Sequence, residues 1–462
     1  MSVQFIIIVG YLMMTVIIGA VAKRKSSDSN AFHGAGLGVL MCVAAGTGEW
    51  LGGTSTTGVS EYGYVYGISG AWYTIANAIG VMVLALFFAK LYRSLDTVTV
   101  PGIVEKFIGV NARVVASVLL IFVMIAVGTA QVIAAGTLGV TVLGLDYKVS
   151  VVVLGIVFIM YTLAGGMTSV GYTNMMHILT MYGGCIMALI LVSNDTGGLQ
   201  ALRTALPANP FFAWFGIGMP KVSSWIIASI LGACTAQAGI QPILAARDVN
   251  VAKRSAVITA FVVAPFGILT ALLGMAARVN FPDITNAKLA LPTLMMNLQP
   301  VAGGIVLASI MAAILSTISP IILASGTMFT KDMYQRILKP DATDGEILFV
   351  SRVSTGLAGV LCILIAVLMY GSTRVLDIVY FAYTIRGSLF VVILLAIYWK
   401  GISSKGAVWA MVTTGLAGLF WVAYKAVYGQ YPISPMLTET YASVIVALVS
   451  TIVFSKFFRR KN

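Results

Sequence analysis

The sequence predicts an all-α polytopic membrane protein with thirteen transmembrane helices, arranged as two inverted five-helix repeats with one helix before them and two after. Three observations carry this: an apolar composition, long runs without charge, and two interrupted helices five spans apart. Hydrophobic residues make up 59% of the 462-residue chain and charged residues 9%, whereas a soluble domain carries about 25% charge. A water-soluble enzyme is therefore excluded. The 47 glycines and 22 methionines fit helices packed in a bilayer, where small residues let backbones approach closely.

Apolar runs between charges place the spans at about 2–22, 38–61, 69–92, 114–143, 149–165, 171–193, 222–246, 254–277, 301–331, 348–369, 375–398, 406–427 and 440–457. Neither Val149 to Asn194 nor Leu289 to Thr330 contains an Asp, Glu, Lys or Arg. Spans of about 20 residues consume most of the chain, so 1–462 reads as one transmembrane domain. Within it, 38–193 is the first repeat, 222–398 the second, 2–22 the extra N-terminal helix and 406–457 the two extra C-terminal helices. The first run, Val3 to Ala22, is too long for a signal-peptide core and lacks a basic leader, which predicts a retained helix.

A net charge of +13 would suit a nucleic-acid partner only if the basic residues clustered on one surface. They sit instead at the edges of apolar runs, as membrane topology requires. With the N-terminus outside, one side collects twenty Lys and Arg, among them Lys90, Arg93, Arg113, Arg247, Arg336 and Lys400. The other collects seven (Lys148, Arg203, Lys221, Arg278, Lys288, Arg374 and Lys425). The C-terminus is then cytoplasmic, and the expected setting is a plasma membrane of the bacterial inner-membrane kind. Cys42, Cys185, Cys234 and Cys362 lie in separate apolar runs without a CxxC, so neither a disulfide framework nor a metal cage is expected.

The second span contains Gly46-Thr47-Gly48-Glu49-Trp50-Leu51-Gly52-Gly53, and the seventh contains Ala238-Gly239-Ile240-Gln241-Pro242. Proline removes a backbone donor and clashes with the preceding turn. Non-helical backbone survives at membrane depth only where it faces protein or a water-filled cavity. Two such interruptions, five spans apart, cross the membrane in opposite senses. That pairing points to the binding site of a secondary transporter, where freed carbonyls and half-helix ends hold ions and polar solutes.

Several segments resemble the sodium:solute symporter family and its LeuT-type fold. Ala308 to Tyr334 (ASIMAAILSTISPIILASGTMFTKDMY) is similar to the family's sodium-binding helix, and Ala164 to His177 (AGGMTSVGYTNMMH) to its GG-x-x-x-V-x-W-T-D-x-x-Q segment. AARDVNVAKRSA and IYWKGIS match the basic loop after the broken helix and the end of the tenth core helix. The resemblance runs from about residue 5 to 425. It implies Na+ held by the carbonyls of Thr47, Trp50 and Ala313 and the hydroxyls of Ser316 and Thr317. A second sodium site, which some members build on the aspartate of that segment, is expected to be absent: Asn174 replaces the aspartate, His177 the glutamine, and Pro320 stands where a serine would be. One coupled ion per solute is the expectation.

Two charges fall inside spans. Glu49 is costly at mid-membrane, by about 2.5–3.5 kcal/mol, and is a functional candidate on that ground. Arg386, in YFAYTIRGSLF, could receive a solute carboxylate bidentately or simply pair with Glu49. Thr54, Trp72, Tyr73, Asn77, Gln131, Gln237, Gln241, Phe381 and Tyr383 complete the expected solute site, a set of aromatic faces and amides suited to a small polar organic solute. The expected function is sodium-coupled import of such a solute, carboxylate-bearing or an amino acid, by alternating access. Proton coupling through Glu49 is the alternative and a transporter-like sensor a weaker one. The partners are the solute and the lipid bilayer, with no obligatory protein partner. With only His33 and His177 and no HExxH or GxSxG motif, no enzymatic chemistry is expected.

Overall fold

The computed structural model describes residues 3–23, 36–369 and 375–459. Arg24, Lys25, Arg374, Arg460 and Lys461, which entered the topology reading, and His33 lie outside them. Every long element is a helix, as hydrocarbon demands of a backbone that must satisfy its own hydrogen bonds. In chain order these are α1 (Val3–Lys23), α2 (Val39–Trp50), α3 (Val59–Tyr66), α4 (Trp72–Val83), α5 (Val100–Phe107), α6 (Val110–Leu143), α7 (Tyr147–Thr196), α8 (Met219–Ala233), α9 (Gln237–Leu244), α10 (Val249–Val263), α11 (Phe266–Asn280), α12 (Pro300–Met328), α13 (Asp344–Met369), α14 (Val375–Tyr398), α15 (Ser404–Tyr428) and α16 (Glu439–Arg459). A π turn and a short helix carry α4 on to Ser94.

By length and composition, ten stretches among the described residues can cross a membrane, against the thirteen spans read from the sequence. Val3–Ile18 and Tyr147–Met160 count as shorter apolar helices, and Thr54–Ser94 counts as one stretch. The chain nevertheless reverses near Gly67, whose φ of 72° suits glycine. Thr270 bonds Ser55 and Tyr64 reaches the carbonyl of Phe281, so this limb runs parallel to α11. Beyond the turn, Thr74 reaches back to Ala264 and Tyr92 to Cys234.

The 50 helical residues of α7 would span about 75 Å if straight, more than twice the ~30 Å hydrocarbon core. The contacts resolve them into two limbs of opposite sense. Tyr147 bonds the Ala366 carbonyl and Ile159 packs on Gly359, so the first limb is antiparallel to α13. Asn174 bonds the Ser316 carbonyl and Gly184 meets Ser309, so the second is antiparallel to α12. Helices α12 and α13 are themselves an antiparallel hairpin, with Gly326 against Thr355. The two limbs correspond to the spans expected at 149–165 and 171–193.

Two helices are broken at membrane depth. The first break falls at Leu51–Gly53, between α2 and the π turn Thr54–Gly58 that leads into α3. The second falls at Cys234–Ala236, between α8 and α9. That is upstream of the expected segment, because Pro242 is tolerated inside α9. Its missing N–H costs only the bond that the Ala238 carbonyl would have accepted. The half-helices α2 and α9 run antiparallel side by side. Cys42 Sγ donates to the Pro242 carbonyl at 3.2 Å, and a β-carbon at Gly239 would lie 3.1 Å from the Trp50 ring. Helix α12 threads the centre, buried at every residue from Val306 to Met328.

At the end of the molecule where basic residues gather, α5 forms a clasp. Thr99 caps it through Gly102 N and also donates to Asp332 Oδ1 at 2.7 Å. Arg113 bridges Asp332 (2.6 Å) and Glu105 (2.5 Å), and Arg336 pairs with Glu105 from outside. Gln237, the first residue of α9, binds the Val98 carbonyl and the Val100 N–H. The clasp thus ties the second broken helix to the end of the central one. The two guanidiniums, Arg336 foremost, hold the Glu105 carboxyl below the ordinary value of 4.5. A carboxyl depressed on folding stabilises fully above its unfolded value and loses that contribution as pH falls through the folded one. Glu105→Gln should therefore lower the melting temperature in detergent at pH 7, and the gap from the unsubstituted protein should close as pH drops below 4.5.

Candidate functional site

The first break sets out backbone oxygens against α12. The Thr47 carbonyl accepts the Leu51 N–H as the last helical bond of α2. The hydroxyls of α12 therefore meet carbonyls one residue further on. Ser316 Oγ lies 3.0 Å from the Leu51 carbonyl oxygen, to which it donates, and 2.8 Å from that of Ala313. Thr317 Oγ1 donates to the Gly48 carbonyl and lies 3.3 Å from that of Ala313. The sequence placed Thr47 and Trp50 in these roles. In the structure the carbonyls that accept these hydroxyls are those of Leu51 and Gly48, while the Thr47 carbonyl accepts the Leu51 N–H. Ala313, Ser316 and Thr317 of the expected set lie in this cluster. The five oxygens converge from two chain segments and are all uncharged, a donor set suited to a hard monovalent cation and not to a soft metal. Among the described residues no group of three His, Cys, Asp or Glu side chains could hold a metal.

Glycine makes this approach possible. A β-carbon on Gly48 would strike Asn174 and the Ser316 carbonyl, and one on Gly52 would lie 2.6 Å from Thr317 Cβ and 2.7 Å from Gln131 Oε1. The uncoiled backbone is met by side chains: Gln131 Oε1 accepts the Gly53 N–H at 2.7 Å, and its amide nitrogen reaches Thr54 at 3.4 Å. Asn174 donates to the carbonyls of Ser316 (3.1 Å) and Ala44 (3.3 Å). A carboxylate has no hydrogen to donate in either direction. His177 takes no part in the oxygen cluster; its Nδ1 pairs with Tyr11 Oη of α1 at 2.5 Å.

Beside the cluster lies a buried ion pair. Arg386 Nη1 is 2.9 Å from Glu49 Oε1, and both side chains are 0% exposed. The guanidinium lies 4.0 Å over the Tyr383 ring and 5.8 Å from that of Trp50, positions that favour cation–π attraction. Thr54 and Tyr73 share a hydrogen bond of 2.8 Å, and Tyr73 lies 3.5 Å from Tyr383 Oη. Removing one member of such a pair strands the other charge, at a cost of about 3–5 kcal/mol. The structure thus brings Glu49, Thr54, Tyr73, Gln131, Tyr383 and Arg386 together. Gln241, on α9, is buried nearby in sequence to Gly239.

The other expected residues are employed elsewhere. Trp72 is half-buried, stacks on Phe215 and donates to the Trp214 carbonyl, fastening a loop at the far end. Phe381 packs edge-on against exposed Phe122. Gln237 is committed to the α5 clasp, and Asn77 accepts from Ser229 of α8. Sequence reasoning missed Tyr380, which meets Tyr73 and Tyr383 edge-on, and Trp225, stacked on Tyr380 at 4.5 Å. Helical spacing carried the signal: Tyr380, Tyr383 and Arg386 recur every third residue on one face, and Phe381 is off it. Thr235, at the second break, donates to the Arg386 carbonyl at 2.8 Å.

A model of the sodium:solute symporter family matches residues 32–414. The osmoregulated proline transporter OpuE of Bacillus subtilis is 25% identical, covering 97% of this chain and 96% of its own. The sodium/glucose cotransporter of Vibrio parahaemolyticus is 26% identical over 85% of this chain and 79% of its own. In fold, the chain matches a Na+-coupled sialic acid symporter solved in a substrate-bound outward-open state, with a TM-score of 0.83 at 18% identity over 99% of this chain and 98% of that one.

The glycine requirement is directly testable. Gly52→Ala should destabilise the protein by about 1–3 kcal/mol, as overpacking does. Gly10→Ala, inside α1 where nothing lies within 4 Å, should not lower the unfolding temperature.

Proposed function

The chain belongs to the sodium:solute symporter family, whose members are transporters, and from that premise we propose that it couples one sodium ion to the import of a small polar organic solute, carboxylate-bearing or an amino acid, by alternating access. The observation that supports this is the five-oxygen cluster between the uncoiled end of α2 and α12. Each hydroxyl that donates there can turn its hydrogen away and present a lone pair to Na+. Binding would then lock the broken helix against α12 and complete the solute site around Glu49, Tyr73, Tyr383 and Arg386. Two half-helices in antiparallel contact suit inverted repeats over 38–193 and 222–398. The gathering of basic residues at one end suits a cytoplasmic face there, with the N-terminus outside and the C-terminus inside a bacterial inner membrane.

The energy suffices. A tenfold sodium gradient supplies about 1.4 kcal/mol and one charge crossing 100 mV about 2.3 kcal/mol. Together they support roughly several-hundred-fold accumulation per coupled ion. A single ion is favoured by Asn174, whose amide donates to two carbonyls, and by Pro320 within α12.

Ser316→Ala and Thr317→Ala should each raise the half-saturating sodium concentration in proteoliposome uptake by about tenfold or more, the scale of a lost bond to a charged group. Thr317→Ser should restore it. Sodium-independent uptake driven by pH would replace the reading with proton coupling, and a reversal potential of two sodium ions per solute would overturn the single-ion count.

A further inference from the structure

The midplane ion pair is incompletely used, and what it leaves open specifies a class of solute; this rests on the symporter reading above. Arg386 commits one nitrogen, Nη1, to Glu49 Oε1. Among the described residues its Nε and Nη2 have no hydrogen-bond partner, and Glu49 Oε2 has none either. All three atoms are buried, on side chains with no exposed surface. Leaving buried charged groups unsatisfied is expensive, so a site that keeps them that way is built for something that supplies the missing bonds.

The vacant valences have a definite pattern. Nε and Nη2 form the edge of a guanidinium that grips a carboxylate with two parallel bonds. Oε2 of an ionised carboxylate only accepts, and calls for an N–H or O–H donor. Tyr383 covers one face of the guanidinium at 4.0 Å, so the edge and not that face is where a carboxylate would bind. We propose that the solute is dipolar, a compact molecule carrying both a carboxylate and an ammonium group, and that it binds alongside the Glu49–Arg386 pair with its carboxylate on Arg386 Nε/Nη2 and its ammonium on Glu49 Oε2.

The competing chemistries each leave a fault. A monocarboxylate fills the Arg386 edge but leaves Oε2 bare and sets two carboxylates into one enclosed space. A simple amine fills Oε2 and abandons the guanidinium edge. A neutral sugar offers hydroxyls to both but balances neither charge. A dipolar solute answers every open atom and brings no net charge into a low-dielectric site. The coupled sodium would then be the sole net charge carried, one positive charge per solute. A monocarboxylate moving with one sodium would carry none.

The test uses the full-length protein in detergent and in proteoliposomes. The probes are the common L-α-amino acids, β-alanine and γ-aminobutyrate, each beside its des-amino carboxylic acid and its decarboxylated amine, with glucose as a neutral control. Melting temperature is read with and without sodium, and solute-evoked current is read under a sodium gradient. At least one dipolar probe should stabilise the protein only with sodium and evoke inward current. Deleting either of its charges should weaken binding by at least about 100-fold, because the site's buried groups are then left unpaired.

Arg386→Lys keeps the charge but loses the fork and should weaken the dipolar probe more than tenfold. Glu49→Gln should weaken it while narrowing the gap to its des-amino analogue. Should either variant fail to fold, the analogue series on the unsubstituted protein still decides. Sodium-dependent stabilisation by a monocarboxylate, an amine or glucose equal to that by any dipolar probe overturns the inference and leaves the symporter reading intact. Failure of every dipolar probe also overturns it. A dipolar response indifferent to sodium upholds the inference and overturns the coupling.

Discussion

Everything in this molecule follows from one constraint: a peptide backbone in hydrocarbon has no water to turn to, so each uncoiled residue needs a named partner. At Leu51–Gly53 the helix lets go, and three groups at the break are met from outside. Gln131 takes the Gly53 N–H, Ser316 the Leu51 carbonyl and Thr317 the Gly48 carbonyl. These contacts stabilise the break and also assemble the oxygens that a cation requires. Stability and ion binding therefore share the same atoms, which makes the broken helix an element whose position a bound ion can bias.

The same constraint explains the glycines. A helix end that brings its backbone against α12 has no room for side chains on the facing side, so Gly48 and Gly52 are packing requirements before they are flexible joints. It also explains why charges at the midplane appear together. Glu49 alone in this setting would be costly; opposite Arg386, whose guanidinium lies against the Tyr383 ring, it is tolerable. That the pair is not fully hydrogen-bonded separates it from a purely structural salt bridge, whose lone pairs and protons need complete satisfaction to be worth their desolvation.

The two broken helices are not equally anchored. The first packs among α10, α7, α9 and α12, and at its uncoiled end it meets Ser316 and Thr317 of α12 and Gln131 of α6. The second is tied at Gln237 to α5, which Asp332, Arg113 and Glu105 bind in turn to the end of the central helix. The second broken helix is thus linked to that end of the molecule by the Gln237 amide and, beyond it, by charge-assisted bonds. That clasp involves long-range pairs such as Thr99 with Asp332, a kind of contact that no local pattern announces.

What could be read without coordinates was whatever hydrophobicity, glycine and charge encode along the chain: a helical membrane protein, the first break at its true position, the hydroxyl pair on α12, and the two intramembrane charges. Local signals of this kind survive because bilayer thickness and backbone satisfaction act on each segment separately. What required the folded chain was register and partnership. Only the folded chain shows that the α12 hydroxyls meet the carbonyls of Gly48 and Leu51, next to the Thr47 and Trp50 that the motif named. The second break lies at Cys234–Ala236 because neighbours tolerate Pro242 in a helix. Trp72, Gln237 and Phe381 looked like ligands by type, yet each points to a different neighbour, for a helix turns by about 100° per residue. Only the packing of one helix against another decides which face becomes the site.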